Sequence, residues 1–226
     1  MPPAPIRLVA ITDRRLMVAP EVLARGDWPE IARAFAAAIA AILAPGVLIQ
    51  VREKDLDGGP LLLLVRAALA TGAEVAVNDR LDVALAAGAH GVHLPEHGLP
   101  IPTARALLAA VPAPPLTSPP APPLRVGFTL GASCHSIEGA HAAGRTGAEL
   151  VQLGPIWDTP GKGPPLGPAA LTAARAGLSD AARLVAVGGI DDLDRARLAL
   201  ASGADAVAAI RAVWSHRLDP RALAGA

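Results

Sequence analysis

The sequence predicts a (β/α)8 barrel of the α/β class, formed as a single domain over residues 1–226, and three observations support this prediction. Short runs rich in valine, isoleucine and leucine alternate with longer runs rich in alanine and leucine, which is typical of βαβ units around a parallel sheet. Eight runs of each kind can be counted in a chain long enough for one large domain. The unusual polar residues follow the predicted strands, where barrels carry their active sites.

The eight predicted strands are short, apolar and rich in β-branched residues. They lie near residues 6–11, 47–52, 74–78, 91–94, 125–130, 149–153, 183–187 and 205–210. The predicted helices lie near residues 28–44, 60–71, 80–87, 102–110, 136–146, 168–178, 191–202 and 212–224. Asp27, Asp79 and Asp191 suit helix starts, and Gly-Ala pairs before several strands suit the ends of the preceding helices.

Residues 111–124 interrupt this alternation with seven prolines in the stretch VPAPPLTSPPAPPL. Such a composition favours an extended, exposed, polyproline-like loop. The segment follows a predicted helix and precedes a predicted strand, so on a barrel it lies at the face opposite the usual active site. We therefore expect a spacer without a catalytic role, with a partner-binding segment as the alternative.

Composition narrows the classes of partner. The formal net charge is zero, aromatic residues make up 2% and no basic block occurs, so nucleic acid is not an expected partner. The lone cysteine, Cys134, excludes an internal disulfide and a cysteine-rich zinc site, and we expect a reducing cytoplasmic location. No signal peptide is recognisable, and the longest apolar run, of eleven residues, is too short to span a bilayer. We therefore expect no membrane partner.

Polar or glycine-rich segments follow all eight predicted strands. They are Thr12-Asp13, Arg52-Glu53-Lys54, Asn78-Asp79, His93 to Glu96, Ser133-Cys134-His135, Gly154 to Lys162, Gly188-Gly189-Ile190 and Arg211. Because the carboxyl ends of barrel strands share one rim, we expect these segments to converge on one site. This convergence is the strongest physical indication of function in the sequence.

Gln50, Arg52 and Lys54 form the most informative group, because the strand period of two points all three side chains to one face. The chain has two lysines against eighteen arginines, so a lysine at this position is unusual. Two unpaired cations beside a cavity are costly without an anion, which predicts an anion-binding group. The alternative is a salt-bridged rim in which Glu53 or Asp55 pairs with the cations.

Two further segments predict phosphate binding. Lys162 lies in the loop GPIWDTPGKGPPLG, whose length is typical of binding loops, and a compact ammonium suits a phosphate. Gly188 and Gly189 precede a predicted helix, whose N-terminal amides suit an anion at the usual barrel phosphate position. The alternatives are a solvated loop lysine and an ordinary glycine turn. Arg211 could assist the phosphate or point into solvent.

Asn78, Asp79 and His135 each keep two interpretations. The pair Asn78-Asp79 could cap a helix, or Asp79 could offer hard oxygen ligands to Mg²⁺. His135 could act as a general acid or base, or it could be a hydrogen-bonded structural histidine. A nucleophilic pair of Cys134 with His135 is not expected, because adjacent strand residues point to opposite faces.

Seven stretches together resemble the family of thiamine phosphate synthase and its paralogue, the thiazole tautomerase TenI. They are LVAITD (8–13), IQVREKD (49–55), VNDRLDVALAAGAHGVHL (77–94), GASCHS (131–136), GAELVQLGPIWDTPGK (147–162), LVAVGGI (184–190) and GADAVAAI (203–210). The resemblance extends through most of the chain. It implies a (β/α)8 barrel in thiamine biosynthesis, a transferase that joins hydroxymethylpyrimidine diphosphate to thiazole phosphate and releases pyrophosphate with Mg²⁺ present.

The resemblance also implies roles for residues at matching positions. The matches are the diphosphate contacts Gln50, Arg52, Lys54, Ser133 and Lys162, the pyrimidine contact Asn78, the magnesium ligand Asp79, the thiazole neighbour Thr159 and the thiazole-phosphate glycines Gly188 and Gly189. Arg52, Lys54 and Lys162 would be catalytic, because they would neutralise charge on the departing diphosphate. Phosphorylated small molecules are thus the expected substrates, and self-association into a homo-oligomer is possible.

Three positions depart from the synthase pattern. Gly98 stands where a second magnesium-binding aspartate is usual, and Glu96 is the nearby acid that could replace it. Gly161 and Arg211 replace a usual threonine and a usual serine. The missing aspartate is a trait of TenI-type proteins, in which His135 matches the acid/base histidine. The retained diphosphate contacts favour a synthase, and a thiazole tautomerase and a non-catalytic thiazole-phosphate-binding homologue remain the alternatives.

Overall fold

A computed structural model describes residues 5–110 and 128–223, which form a closed barrel of eight parallel strands. The strands are β1 (Leu8–Ile11), β2 (Val47–Val51), β3 (Glu74–Asn78), β4 (Gly91–Leu94), β5 (Thr129–Cys134), β6 (Leu150–Leu153), β7 (Arg183–Val187) and β8 (Ala206–Ala209). Strands pair in chain order, and β8 pairs with β1 to close the ring. The predicted (β/α)8 barrel is confirmed, whereas the proline segment 111–124 lies outside the described residues.

Helices connect the strands and cover the outside of the barrel. They are α1 (Arg14–Met17), α2 (Pro20–Arg25), α3 (Trp28–Ile42), α4 (Gly58–Ala70), α5 (Leu81–Ala87), α6 (Ile101–Ala110), α7 (Ile137–Arg145), α8 (Ala169–Ala176), α9 (Leu193–Ala201) and α10 (Arg211–Trp214), followed by a 3-10 turn at Pro220–Leu223. The side chains of Asp27, Ser136 and Asp192 accept hydrogen bonds from backbone amides and so begin α3, α7 and α9.

Side-chain alternation along the strands divides the core into two apolar parts. Outward-facing residues such as Val75 and Leu184 pack beneath the helices, together with Phe35 of α3. Inward-facing residues such as Leu48 and Leu150 fill the barrel itself. Within the described ranges, no helix is both long enough and apolar enough to cross a membrane.

Strand β5 extends four residues beyond its predicted end at residue 130, while residues 125–127 of the prediction lie outside the described part of the chain. We expected it at 125–130, because the letters RVGFTL are more apolar than the TLGASC of the strand itself. The inward positions of β5 include Gly131 and Ser133, which are small, and a Cβ at Gly131 would lie only 2.5 Å from His93 Nδ1. The predicted end of β5 is wrong because Gly131 and Ser133 leave room for His93, so this part of the strand lacks the apolar bulk that was expected of it.

Two predictions near the chain ends are also wrong. The short helices α1 and α2 between β1 and α3 were not expected, because four and six residues are too few to show a helical period. The predicted final helix at 212–224 is instead the short α10 and a separate 3-10 turn. His216 takes a left-handed φ of 57° between them, which interrupts any continuous helix.

Gly154, directly after β6, provides a test of the packing between β6 and β7. A Cβ at Gly154 would overlap the Val187 carbonyl oxygen and lie 2.8 Å from Val187 Cγ1, whereas a Cβ at Gly163 would meet nothing within 4 Å. We expect Gly154→Ala to lower the free energy of unfolding by about 1–3 kcal/mol through overpacking. Urea denaturation measures this loss, with Gly163→Ala as the matched control. Equal stability of the two variants would contradict a close contact between Gly154 and Val187.

Candidate active site

The barrel interior is apolar towards the amino ends of the strands and polar towards their carboxyl ends. Leu48 and Leu150 belong to the apolar part, and both are buried. Two residues further along their strands, β2 and β6 carry Gln50 and Gln152 at inward positions. The other polar inward residues at this level are Asn78 on β3, His93 on β4 and Ser133 on β5. These five side chains form the floor of the candidate site.

The amides of the floor are joined by hydrogen bonds. Gln152 Nε2 donates to Gln50 Oε1 at 2.6 Å, and Gln50 Nε2 donates to Asn78 Oδ1 at 3.3 Å. The inward direction predicted for Gln50 is therefore confirmed. Gln152 was not among the predicted site residues, although a glutamine between apolar residues of a buried strand, as in LVQL, is a usable signal.

His93 pairs with Ser133 on the other side of the floor. His93 Nε2 lies 2.9 Å from Ser133 Oγ, and His93 Nδ1 has no hydrogen-bond partner within the described residues. Complete burial, with the nearby Arg52 charge, lowers the pKa of His93 to about 3, so the ring is neutral. A buried N–H without an acceptor is costly, so we assign the proton to Nε2, which in that tautomer donates to Ser133 Oγ. The Ser133 hydroxyl hydrogen is then free for a ligand.

Glu53 is 5% exposed and is held by neighbours other than the rim cations. Its Oε1 accepts hydrogen bonds from Thr12 Oγ1 at 2.7 Å and from the Arg14 backbone amide at 3.0 Å. Its Oε2 accepts from Arg14 Nη1 at 3.0 Å. Thr12 Oγ1 in turn accepts from the Arg52 backbone amide at 3.0 Å, so this network also anchors the backbone at the end of β2.

Asp55 is paired in the same network. Arg14 Nη2 donates to Asp55 Oδ2 at 2.6 Å, and Arg15 Nη2 donates to the same oxygen at 2.7 Å. The hydrogen bond from Arg14 lowers the pKa of Asp55 to about 2, and Asp55 in return raises the pKa of Arg14. The alternative in which Glu53 or Asp55 neutralises the rim cations is therefore wrong.

Arg52, Lys54 and Lys162 lie together at the mouth of the barrel. The charge of Arg52, then partial burial and then the charge of Lys162 lower the pKa of Lys54, whereas Asp79 raises it. Over residues 5–110 and 128–223, none of the three cations forms an ion pair. The structure thus brings the ends of β2, β3 and β6 to one mouth, where three cationic side chains concentrate positive charge.

The loop after β6 rests on the glycine pair after β7. The Trp157 amide donates to the Gly188 carbonyl at 3.1 Å, and the Lys162 amide donates to the Thr159 carbonyl at 3.1 Å. A Cβ at Gly188 would lie 3.1 Å from Thr159 Oγ1, and both glycines have left-handed φ values, 93° for Gly188 and 67° for Gly189. Glycine is therefore required for this close approach, which brings together two of the predicted binding segments.

Arg195 on α9 holds this glycine loop from the other side. Its Nη1 donates to the Gly189 carbonyl at 2.7 Å, and its guanidinium carbon lies 5.8 Å from the centre of the Trp157 ring. Arg195 was not predicted from the sequence, because a charged residue in the first turn of an exposed helix carries no signal that separates it from a solvated one.

Asp79 does not cap α5. The N-cap residue is Arg80, without a capping side-chain hydrogen bond, so the helix-cap interpretation of Asp79 is wrong. Asp79 has a left-handed φ of 66°, which is uncommon outside glycine and is not a helical conformation. A Cβ at Gly98 would lie 3.3 Å from Asp79 Oδ1, so position 98 faces this carboxylate.

Glu96 pairs with His135 across the loops that follow β4 and β5. His135 Nδ1 lies 2.5 Å from Glu96 Oε2, and the His135 backbone amide donates to Glu96 Oε1 at 3.3 Å. Partial burial acts to raise the pKa of Glu96, but the hydrogen bonds from His135 outweigh it, and the pKa is lowered. His135 thus belongs to an acid–imidazole pair at the rim. Cys134 beside it faces the outer core, where burial raises its thiol pKa to about 12.

The donor set at the mouth suits a partly protein-bound magnesium ion. In the described part of the chain, no group of three or more histidine, cysteine, aspartate or glutamate side chains is placed to hold a metal. Mg²⁺ nevertheless commonly takes one or two carboxylates and completes its shell with water and substrate phosphates. Asp79 beside the cationic mouth fits that pattern as one ligand, whereas Glu96 is engaged by His135.

Comparisons with known proteins agree with this geometry. The family described as thiamine monophosphate synthase matches residues 22–111 and 122–213. A thiamine-phosphate synthase of Methanoculleus marisnigri is 43% identical over 74% of this chain and 73% of that protein, and one of Anaeromyxobacter dehalogenans is 43% identical over 78% and 73%. A solved thiamine phosphate pyrophosphorylase from Pyrococcus furiosus superposes with a TM-score of 0.70 at 26% identity, covering 97% of this chain and 96% of that one.

A closed (β/α)8 barrel with polar residues gathered at the carboxyl ends of its strands is the arrangement typical of (β/α)8-barrel enzymes. The chain belongs to the thiamine monophosphate synthase family, whose members are enzymes of thiamine biosynthesis acting on phosphorylated small molecules. The resemblance seen in the sequence is thereby confirmed.

The position of Gly98 beside Asp79 makes magnesium affinity testable. We expect Gly98→Asp to place a second carboxylate next to Asp79 and to tighten Mg²⁺ binding by about tenfold, since ligand charge sets affinity for hard cations. Isothermal titration calorimetry with MgCl2 measures the change. Gly98→Ala is the control for crowding against Pro95, which lies 2.8 Å from the added Cβ. Unchanged affinity in Gly98→Asp would show that Asp79 is not part of a metal site.

Proposed function

We propose that this chain is a thiamine phosphate synthase, which joins hydroxymethylpyrimidine diphosphate to thiazole phosphate and releases pyrophosphate. The observation that carries the proposal is the group of cations at the mouth, Arg52, Lys54 and Lys162, while the adjacent acids Glu53 and Asp55 are engaged by Arg14. Such a group suits a ligand with several negative charges close together. The names of the relatives support the same activity.

The first chemical step breaks the bond between the pyrimidine methylene carbon and the diphosphate oxygen. The bonding electron pair leaves with the pyrophosphate, and a pyrimidinylmethyl cation remains. Arg52, Lys54 and Lys162 stabilise the negative charge that develops on the leaving group, which lowers the barrier in a partly desolvated mouth. The Ser133 hydroxyl, freed by the donation from His93, adds a hydrogen bond to the same group.

The second step forms the new carbon–nitrogen bond. The lone pair of the thiazole nitrogen attacks the methylene cation, and no proton is gained or lost at the reacting atoms. Gly188 and Gly189, followed by the N-terminus of α9, would hold the thiazole phosphate through backbone amides, with Thr159 beside the ring. Holding both reactants at one mouth replaces a bimolecular encounter with a positioned one.

A bound Mg²⁺ would add positive charge to the leaving diphosphate, and Asp79 would be its protein ligand. The cations at the mouth do the same work from the protein side. Phosphate binding and magnesium binding therefore belong to this proposal together. A cytoplasmic location and self-association into a homo-oligomer also remain predictions.

The second candidate function is a TenI-like thiazole tautomerase, favoured by the pairing of His135 with Glu96. With Nδ1 occupied by a carboxylate, His135 presents Nε2 as a group that can take or give a proton. The absence of an acid at position 98 fits the same alternative. A homologue that binds thiazole phosphate without turnover is the third outcome.

An assay of the purified protein separates these functions. Both thiazole tautomers are supplied with and without the pyrimidine diphosphate and MgCl2, and products are followed by chromatography and by pyrophosphate release. Pyrophosphate release establishes the synthase, and tautomer conversion without magnesium establishes the tautomerase. Binding of thiazole phosphate with neither conversion establishes the binding protein and refutes the proposal.

Lys54 offers the sharpest variant for the synthase. We expect Lys54→Ala to lower kcat/KM for pyrophosphate release by about 100-fold or more, because a charge aimed at the developing anion is lost. Arg33→Ala, which removes an exposed cation on α3, is the matched control and should leave the rate unchanged. A wild-type rate in Lys54→Ala would show that Lys54 does not touch the diphosphate.

His135 distinguishes the two enzymes. If the chain is a tautomerase, His135→Ala should abolish most tautomer conversion, a loss of about 100-fold or more, because general acid–base catalysis contributes about that much. If it is a synthase, the same variant should release pyrophosphate within about fivefold of the wild-type rate, since no proton moves in the coupling. Steady-state assays of both reactions on the same preparation make the comparison. A synthase disabled by His135→Ala would contradict a coupling step without proton transfer.

A further inference from the structure

Three amides cross the interior of the barrel in one line. Gln152 on β6 is 4% exposed, and Gln50 on β2 is 2% exposed. In the closed ring of eight strands, β2 and β6 are opposite each other, so their 2.6 Å hydrogen bond spans the barrel. Asn78 on the neighbouring strand β3 accepts the next hydrogen bond from Gln50.

Gln50, in the middle of the line, accepts through its oxygen and donates through its nitrogen. Gln152 Nε2 occupies Gln50 Oε1, and Gln50 Nε2 occupies Asn78 Oδ1. The Asn78 NH2 group is therefore the end of the line that remains for a ligand at the mouth. Asn78 is the partly exposed member of the three, as that role requires.

Among the described residues, Gln152 is the side chain that donates to Gln50 Oε1. His93 and Ser133 bond to each other, and the layer beneath consists of apolar side chains such as Leu48 and Leu150. Without Gln152, Gln50 Oε1 would be a buried carbonyl without a donor, and the hydrogen bond that fixes the direction of the Gln50 amide would be lost. A rotated Gln50 would offer its oxygen to Asn78, and Asn78 would then turn its own oxygen towards the ligand.

We infer that Gln152 is a positioning residue for the pyrimidine, which it does not touch: it sets the direction of the amide line so that Asn78 offers N–H groups to a ring nitrogen of the substrate. This inference rests on the proposed synthase function, because it takes the pyrimidine diphosphate as the ligand at the mouth. It also explains why a strand facing an apolar interior carries a glutamine.

Gln152→Met tests the inference, because methionine has a similar length and no amide. We expect the KM for the pyrimidine diphosphate to rise about tenfold, since the substrate loses one correctly directed hydrogen bond. The KM for thiazole phosphate and kcat should stay within about twofold, because the cations act on the leaving group as before. Leu150→Met, one layer lower on the same strand, controls for repacking of the interior and should leave both KM values and kcat unchanged.

Calorimetric titration with the pyrimidine diphosphate alone gives a second readout that needs no turnover. A Kd about tenfold weaker in Gln152→Met, with Leu150→Met at the wild-type value, supports the inference. Should Gln152→Met fail to fold, Gln152→Asn keeps the amide but is one methylene too short to reach Gln50, and the same loss is expected. Equal affinity in wild type and variant, or equal rises in both KM values, would overturn it.

The same titration separates failure of the inference from failure of the proposed function. Wild-type protein that binds the pyrimidine diphosphate in this titration, but releases no pyrophosphate when thiazole phosphate and MgCl2 are also supplied, refutes the synthase and still allows the Kd comparison to decide on Gln152. Wild-type protein that does not bind the pyrimidine diphosphate refutes both.

Discussion

The candidate site depends on the way Arg14 engages the acids that alternate with the rim cations along the chain. Arg14 bonds to both Glu53 and Asp55, so neither carboxylate neutralises Arg52 or Lys54. The consequence of this network for the site is the distribution of charge, because both acids are paired away from the rim cations. It leaves two cations at the end of β2, to which the loop after β6 adds Lys162.

The polar side chains of the floor form hydrogen bonds with one another. The amides of Gln152, Gln50 and Asn78 bond in series, and His93 bonds to Ser133. In the described part of the chain, His93 Nδ1 is the one buried side-chain nitrogen or oxygen without a hydrogen-bond partner. Such a floor holds polar groups at fixed directions above an apolar interior. The rim cations, which form no ion pair in the described residues, therefore lie above a floor of hydrogen-bonded side chains. This arrangement suits a ligand with a polar ring and a charged tail.

Much of this could be predicted from the sequence, and the failures have physical causes. Seven strands were found because apolar β-branched runs record burial, whereas β5 was misplaced because Gly131 and Ser133 make room for His93. The rim was found because strand ends share one edge of a barrel. The pairing of Gln152 with Gln50 was missed because a contact between residues over a hundred positions apart leaves no local pattern, although the glutamine itself stands out among the apolar residues of LVQL. The pairing of Glu53 with Arg14 was missed as well, because Arg14 lies in the short helix α1, which was not predicted.

The central claim is that cations from separate strand ends form one anion site, and binding of inorganic pyrophosphate tests it most directly. Calorimetric titration with pyrophosphate, with MgCl2 present, measures the affinity of the wild type and of Lys162→Ala. Lys162 is chosen because it lies 108 positions from Lys54 in the chain and can share an anion only if the fold brings the two together. We predict one pyrophosphate per chain, and binding about tenfold weaker in the variant, as loss of one charge-assisted contact requires. Wild-type binding in Lys162→Ala would contradict a shared mouth.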